Sequence, residues 1–453
     1  MKLTTMTLSL LLSYSAFAHD PSDAIKTTVH LKNYHTDMQK IQKLDFDVAG
    51  VDIKNKVVDL LLTKDQIEKI QELGFVYQVD WKKERKALDE GYKTHQEIES
   101  ILKEYVRRFP KIAKIYKIGK SFENRDILAL KISDHVEKDE IDEPSILFNS
   151  MHHAREVMSP EVSLDIIDQL LTQYESNQTY RGYVDRSEIW VVPMLNVDGN
   201  AKVWDGSRMW RKNTRLSNGV DINRNYPYKW GECRGSSGSA WSQTYRGPSA
   251  QSEPETKALM GLVKKIRPVF NISYHAYSEI VIYPQGCKGQ RANNKEIVEP
   301  IGKEMGRLID YQAGTAWELL YSVDGSDIDW MHDAYQVIPY VVEVNSRREG
   351  FQPNYEQWRD KTVERNRAAW QYLFERLHGP AASGVVPAKY KKDARIHVYN
   401  NENQLMQIYR VNDDGSFHII LNEGKYRFEL HTNKKQHASI VANVAKSNFQ
   451  LNF

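Results

Sequence analysis

Cysteine is nearly absent: Cys233 and Cys287 are the only two in 453 residues. That excludes a disulfide-dense miniature scaffold and a module built on closely spaced thiolate pairs. Charge of one sign is also missing. With 62 basic against 60 acidic side chains the formal charge is +2, so nothing at long range draws the chain to nucleic acid or an anionic membrane. Beyond the N-terminus no apolar run approaches the roughly twenty residues that span a bilayer, and neither nucleic-acid binding nor stable membrane insertion is expected.

What is present begins with "MKLTTMTLSLLLSYSAFAHD". Lys2 precedes an apolar stretch at Leu8 to Leu12, and Ala16-Phe17-Ala18 is a small-x-small cleavage signal. Ser9, Ser13 and Ser15 break the run, which favours a secretory signal cut after Ala18 over an anchor and places the protein outside the cytoplasm, periplasmic or secreted. In that oxidising setting the two cysteines are expected as one structural disulfide.

The length calls for two or three domains. Residues 24–81 read as a small α+β unit: "AIKTTVHLKN" and "KVVDLLLT" are extended, while "YHTDMQKIQKLDF" and "KDQIEKIQELGF" have helical spacing. Thr63 with Gln66 forms a capping box, and Gly74 stands at the C-cap. Lys82, Lys83, Arg85 and Lys86 follow, either a protease-sensitive hinge or a plain solvated linker. From Tyr92 to His378 apolar runs ("PSILFNS", "EIWVVPML", "PVFNISY", "IPYVVEV") alternate with amphipathic helices. This pattern predicts an α/β fold with a mixed, largely parallel sheet covered on both faces, and ligands at strand carboxyl ends. "GPAASGVVPAK" reads as a linker and the last sixty or so residues as a β-sandwich. The expected division is signal 1–18, α+β region 19–88, central domain 89–379, linker 380–392 and sandwich 393–453.

The chemistry gathers in "NSMHHAREVMSPE". A strand, "SILFNSM", runs into it, and Ser159 as N-cap with Pro160 at the first helical position starts a helix after it. His153 and Glu156 thus share a tight connection, three residues apart. Taken alone, the pair also fits a solvated turn. Imidazole with carboxylate suits zinc, and a catalytic zinc takes a third protein ligand and leaves one position to water. His275 follows another buried-type strand, and Glu343 closes "IPYVVEV", where an uncompensated carboxylate is costly. A zinc-bound water beside a carboxylate base is the minimal apparatus for amide hydrolysis.

These segments resemble the zinc metallocarboxypeptidases of the carboxypeptidase A type over about residues 90–378. "HAREV", "MWRKNTR", "GVDINRNYP", "YHAYSE", "LLYSVDGSDIDW" and "VVEV" look like that family's motifs and occur in its order, and "NRNYPYKWGECRGSSGSAWSQTYRG" is similar to bacterial secreted, broad-specificity members. The resemblance implies a zinc carboxypeptidase fold with an eight-stranded-type sheet and one zinc per chain held by His153, Glu156 and His275. Asp221 would orient a ligand imidazole. It further implies Arg211 as oxyanion holder, Glu343 as base, Asn223 and Arg224 as the grip on a free C-terminal carboxylate, and Tyr321 as a mobile cap. Arg155 and Tyr277 would contact the peptide. Ile282, Gly286 and Ile328 would line the pocket for the released side chain; with no acid at Gly286 or Ile328, apolar or aromatic residues should be preferred. Asp324 or Asp327 could admit a basic residue from the side. The region before residue 89 resembles pro-regions, so a zymogen cleaved within Lys82 to Leu88 by an activating protease is expected, acting on peptides or proteins. Two other readings stay open: a carboxypeptidase for murein stem peptides, and an inactive protein that binds peptide carboxylates.

Overall fold

A computed structural model describes residues 24–80, 87–433 and 435–453. The signal segment 1–18 and the basic residues Lys82, Lys83, Arg85 and Lys86 lie outside the described residues. No helix among the described residues is long and apolar enough to cross a membrane.

The first strands are β1 (Ile25–His30), β2 (Asp47–Asp52), β3 (Val57–Leu62) and β4 (Val76–Val79), an antiparallel sheet in the order β2-β3-β1-β4. Helix Tyr34–Lys43 is capped by the Asn33 side chain, which accepts from Thr36 N. Helix Lys64–Glu72 starts in the Thr63–Gln66 capping box, and Gly74 follows with φ 71°, a left-handed turn that costs glycine little. Met38, Ile41, Ile67 and Ile70 face Val29, Val58, Leu60 and Leu62 of the sheet. β2 and β4 are strands the sequence pattern did not announce.

The central sheet comprises β5 (Ala113–Lys120), β6 (Asp126–Ile132), β7 (Ser145–Ser150), β8 (Glu188–Val192), β9 (Phe270–Ala276), β10 (Ile280–Tyr283), β11 (Gln312–Thr315) and β12 (Ile338–Val344). Its order is β11-β10-β12-β9-β7-β8-β6-β5. The middle strands β12, β9, β7 and β8 are parallel, and β7 and β9 are buried along their whole length, as strands covered on both faces must be. Antiparallel joins appear toward the edges, at β10/β12, β8/β6 and β6/β5. Helices flank the sheet. The helix after the His153 turn begins at Ser159 and carries Pro160 in its first turn, but Met158, not Ser159, is the N-cap. Ser159 Oγ instead donates to Glu156 O at 2.8 Å.

Two further sheets, β16-β13-β19 and β15-β14-β17-β18, form the C-terminal sandwich. Its strands are β13 (Ala381–Val385), β14 (Arg395–Tyr399), β15 (Leu405–Arg410), β16 (Ser416–Ile420), β17 (Gly424–Thr432), β18 (Lys435–Val444) and β19 (Asn448–Gln450). Its core is Ile396, Val398, Phe417, Ile419, Phe428 and Leu430. The stretch expected to be a linker is in part β13, paired with both β16 and β19. Ala381 and Ala382 are fully buried; small side chains let the strand sit in tight quarters and also erase the alternation that would have marked it.

Candidate metal centre and substrate cleft

The carboxyl ends of the parallel strands hold the site, because there each chain leaves the sheet and can turn a polar side chain inward. Directly after β7, a connection with Met151 at φ 58° carries His153 and Glu156. His275 is the penultimate residue of β9, and its register partner on parallel β12 is Glu343, so both project from one sheet face. Three loops from distant parts of the sequence thereby converge.

His153 Nδ1 lies 2.7 Å from Glu156 Oε1, His275 Nδ1 lies 3.0 Å from Glu156 Oε2, and the two Nδ1 atoms are 3.1 Å apart. On its far side His153 Nε2 donates to Asp221 Oδ1 at 3.2 Å, and His275 Nε2 faces Ser273 Oγ at 3.2 Å. The Asp221 carboxylate draws the His153 ring proton outward; with the His275 proton likewise on Nε2, two Nδ1 lone pairs and a carboxylate face a common centre. Three acceptors aimed at one point fit a cation, and the donor set fits zinc. Asp221 also accepts from Arg211 Nε and Nη2 at 3.1 and 2.8 Å and from Asn223 N at 3.0 Å; these charges hold its carboxyl well below the usual range. The Glu343 carboxyl is pushed up to about 8 by its desolvated setting and the Glu156 carboxylate, an imbalance that a dication beside both acids opposes.

The cleft leading to this centre is lined by Arg211, Asn223, Arg224, Tyr277, Tyr321 and Glu343 among others. Arg224 spans its end: Nε donates to Gly235 O at 3.1 Å, Nη1 to Asn223 O at 2.8 Å and Nη2 to Tyr321 Oη at 3.3 Å. Beyond lie Ile282, Gly286, Ala316, Leu320, Val323, Ile328, Asp329 and Val341. The Cys233–Cys287 disulfide, 54 residues apart in sequence, ties the Gly235 loop to the Gly286 wall of that pocket.

The sequence profile of the zinc carboxypeptidase family matches residues 98–369, which include every one of these side chains. The chain belongs to that family. Among relatives, a zinc carboxypeptidase A 1 of Anopheles gambiae is 31% identical over 266 residues, 56% of this chain and 60% of its own. A zinc carboxypeptidase of Saccharothrix mutabilis subsp. capreolus is 34% identical over 283 residues, 58% of this chain and 64% of its own. The chain thus spans less than two thirds of the length of these two relatives. The solved structure of a carboxypeptidase A from Helicoverpa armigera superimposes with a TM-score of 0.67 at 22% identity, covering 78% of this chain and 96% of that one, so the fold is shared.

Within this zinc carboxypeptidase cleft the acids anticipated as side-pocket partners lie elsewhere. Asp324 accepts from Cys233 N at 3.0 Å, from Gly235 N at 2.8 Å and from Ser236 Oγ; its oxygens are consumed in closing a loop. Asp327 accepts from Ile328 N at 2.8 Å and faces His152 Nε2 at 3.7 Å, away from the cleft. The acid that does line the pocket is Asp329, missed in the sequence. Gly286 N donates to both its oxygens at 3.1 and 3.0 Å, and a Cβ at residue 286 would meet Asp329 Oδ2 at 2.8 Å and the backbone oxygen of Val323 at 2.9 Å, so any larger residue would displace this wall of the pocket.

Also missed was β2. Asp47 takes Arg155 in a two-point grip of 2.6 and 2.8 Å, with Arg155 over the Phe351 ring at 4.4 Å. Gly50 lies flat on the Tyr277 ring, where a Cβ would come within 2.2 Å, and Val51 N donates to Ser278 Oγ at 3.0 Å. Val48, Ala49 and Gly50 roof the cleft, leaving about 70 Å³ of free space, below the roughly 300 Å³ at which ligand pockets begin.

Proposed function

We propose that this chain is a secreted carboxypeptidase that removes C-terminal residues from peptides, made as a latent precursor. The observation that carries this reading is the convergence, in one cleft, of the His153–Glu156–His275 cradle with Arg224 and Asn223. A guanidinium beside the cradle matches a free α-carboxylate in charge and fork geometry. An internal peptide bond offers no such group, so the geometry selects chain ends.

His153, Glu156 and His275 would hold zinc, which when bound polarises the scissile carbonyl and lowers the pKa of water. The other steps fall to the chain's own residues. Arg224 and Asn223 orient the substrate terminus, and Tyr321, already beside Arg224, closes over it. Arg211 remains cationic beside Asp221 and faces the carbonyl oxygen as negative charge grows there. Glu343 takes a proton from the attacking water and returns it to the leaving amine, so the C–N bond breaks to a carboxylate and an amine. Asp221 ties His153 and Arg211 into one rigid frame.

The deciding experiment incubates a mixed peptide pool with protein trimmed after residue 88, with and without chelator, and follows the products by mass spectrometry. Stepwise loss of single C-terminal residues, abolished by chelator and restored by zinc, is expected; C-terminally amidated peptides should survive. Internal cleavage, or full activity in chelator, refutes the proposal. Arg224→Gln should lower kcat/KM on free acids by about 2–3 kcal/mol, roughly 30- to 150-fold, through loss of a charge-assisted hydrogen bond, with bound zinc unchanged.

Ile282, Ala316, Val323, Ile328 and Val341 make the pocket apolar, so Phe and Leu termini are preferred, each buried methylene adding about 0.8 kcal/mol. Asp329 supplies a conditional second specificity. Burial pushes its carboxyl up to about 7: below that pH it is neutral, above it charged. Release of Lys or Arg relative to Phe should therefore rise about tenfold between pH 6 and 8, the worth of a charged hydrogen bond of roughly 1.5 kcal/mol. Asp329→Asn should flatten this ratio; a ratio that stays pH-dependent in the variant assigns it elsewhere.

We also infer latency from the β2 roof. Cleavage in the basic hinge of residues 82–88 would release the segment that fills the cleft.

A further inference from the structure

A second cluster of metal-binding side chains stands on the C-terminal sandwich. In the antiparallel pair β14/β17, His397 is the register partner of Glu429, and His431 lies two residues beyond Glu429. Strand side chains alternate, so all three share one face. Their neighbours Ile396, Val398, Phe428 and Leu430 are fully buried on the other. A one-residue slip would expose that core, so the same apolar contacts that build the sandwich lock the three polar groups in mutual register.

The two imidazoles stack with centroids 3.9 Å apart and planes 8° from parallel. His431 Nε2 is 3.0 Å from Glu429 Oε2, and one donor atom from each of the three residues lies within 4.8 Å of the others. Small side-chain rotations bring such a set to the roughly 3.3 Å that separates ligands about 2.0 Å from a tetrahedral ion. Glu429 is 7% exposed, a deeply shielded carboxylate for the outer face of a sheet. Arg427, whose guanidinium lies 4.0 Å over the Tyr399 ring, pairs with its Oε1 and leaves Oε2 turned to the histidines.

We propose that His397, Glu429 and His431 form a second metal site, distinct from the catalytic cradle, for a first-row divalent ion of the zinc–copper group. Two imidazoles and one carboxylate suit those ions, whereas calcium and magnesium require a shell of oxygens. The flanking Arg395 and Arg427 add positive charge, which further disfavours ions held by charge alone. Solvent completes the coordination, and an ion there would pin β14 to β17 at the middle of the four-stranded sheet.

The test titrates zinc into chelator-stripped full-length protein, read by calorimetry and by melting temperature. Two equivalents are expected at micromolar free zinc, the sandwich melting higher once the second is bound. His397→Ala and His431→Gln should each retain one equivalent, with peptidase activity of the trimmed protein unchanged. Arg427→Gln, which frees Glu429 Oε1, should tighten the second site several-fold. A single equivalent in the wild-type chain, or a second one that survives the double variant, overturns the proposal. Chelator-stripped native protein loaded with two equivalents of copper(II) gives a check free of mutational misfolding: both bound ions are expected to show two-nitrogen hyperfine splitting, and an oxygen-only second spectrum refutes the site.

Discussion

Glu343→Gln is expected to lower kcat of the trimmed protein by about 10²- to 10⁴-fold, the usual worth of a positioned general base, while bound zinc and KM change little. The split follows from placement. Glu343 is the register partner of His275 on a neighbouring strand and stands outside the set of atoms within 4.8 Å that His153, Glu156 and His275 supply. The amide is close to isosteric with the acid and keeps the cleft's shape, yet it can neither accept the proton of water nor carry it to the amine. Losing zinc together with activity would make Glu343 a ligand; keeping full turnover would remove it from the chemistry altogether. Metal analysis beside steady-state kinetics separates these outcomes.

How far the sequence revealed the site depended on the kind of signal each residue sends. His153, Glu156, His275 and Glu343 end long runs of β-branched and aromatic residues, and a polar residue closing a buried strand is visible because burying it costs so much. The same contrast exposed the central strands. β2, "DVAGVD", carries only two valines, an alanine and a glycine between acids, because it must lie flat against Tyr277; the property that lets it cover the cleft hides it from any hydrophobic pattern. β13 disappears for the same reason, its Ala-Ala-Ser-Gly run reading as a linker. Asp324, Asp327 and Asp329 are chemically identical in sequence. Only the fold shows that Asp324 is occupied by backbone donors, that Asp327 faces His152, and that Asp329 alone reaches the pocket through Gly286. Local spacing locates a loop, but which of its acids points inward is decided by distant partners.

Asp47→Ala is expected to give uncleaved full-length protein a measurable peptidase activity, raised about 30-fold or more over the wild-type precursor. Arg155 is fully buried, and its guanidinium is held from β2 by both Asp47 oxygens. Removing one partner of a buried, hydrogen-bonded charge pair costs about 2–5 kcal/mol, largely because the other charge is left uncompensated. Swinging the roof away lets water or a substrate carbonyl reach Arg155, so the open state regains much of what the closed state has lost. The remaining clasps bound the effect: Arg347 grips Asp59 at 2.6 and 2.9 Å, Gln42 donates to Ser322 O at 2.8 Å, and the Tyr34 hydroxyl donates to Leu319 O. An apolar cluster also runs unbroken from Ile41 and Leu62 into Ile282 and Ile328. Asp47→Ala should therefore raise the open population without detaching the unit, whereas Asp47→Ala with Asp59→Ala should approach the trimmed enzyme. If the uncleaved double variant is as silent as wild type, a part of the chain other than β2 imposes latency; if the wild-type precursor is already as active as the trimmed form, there is no latency to explain.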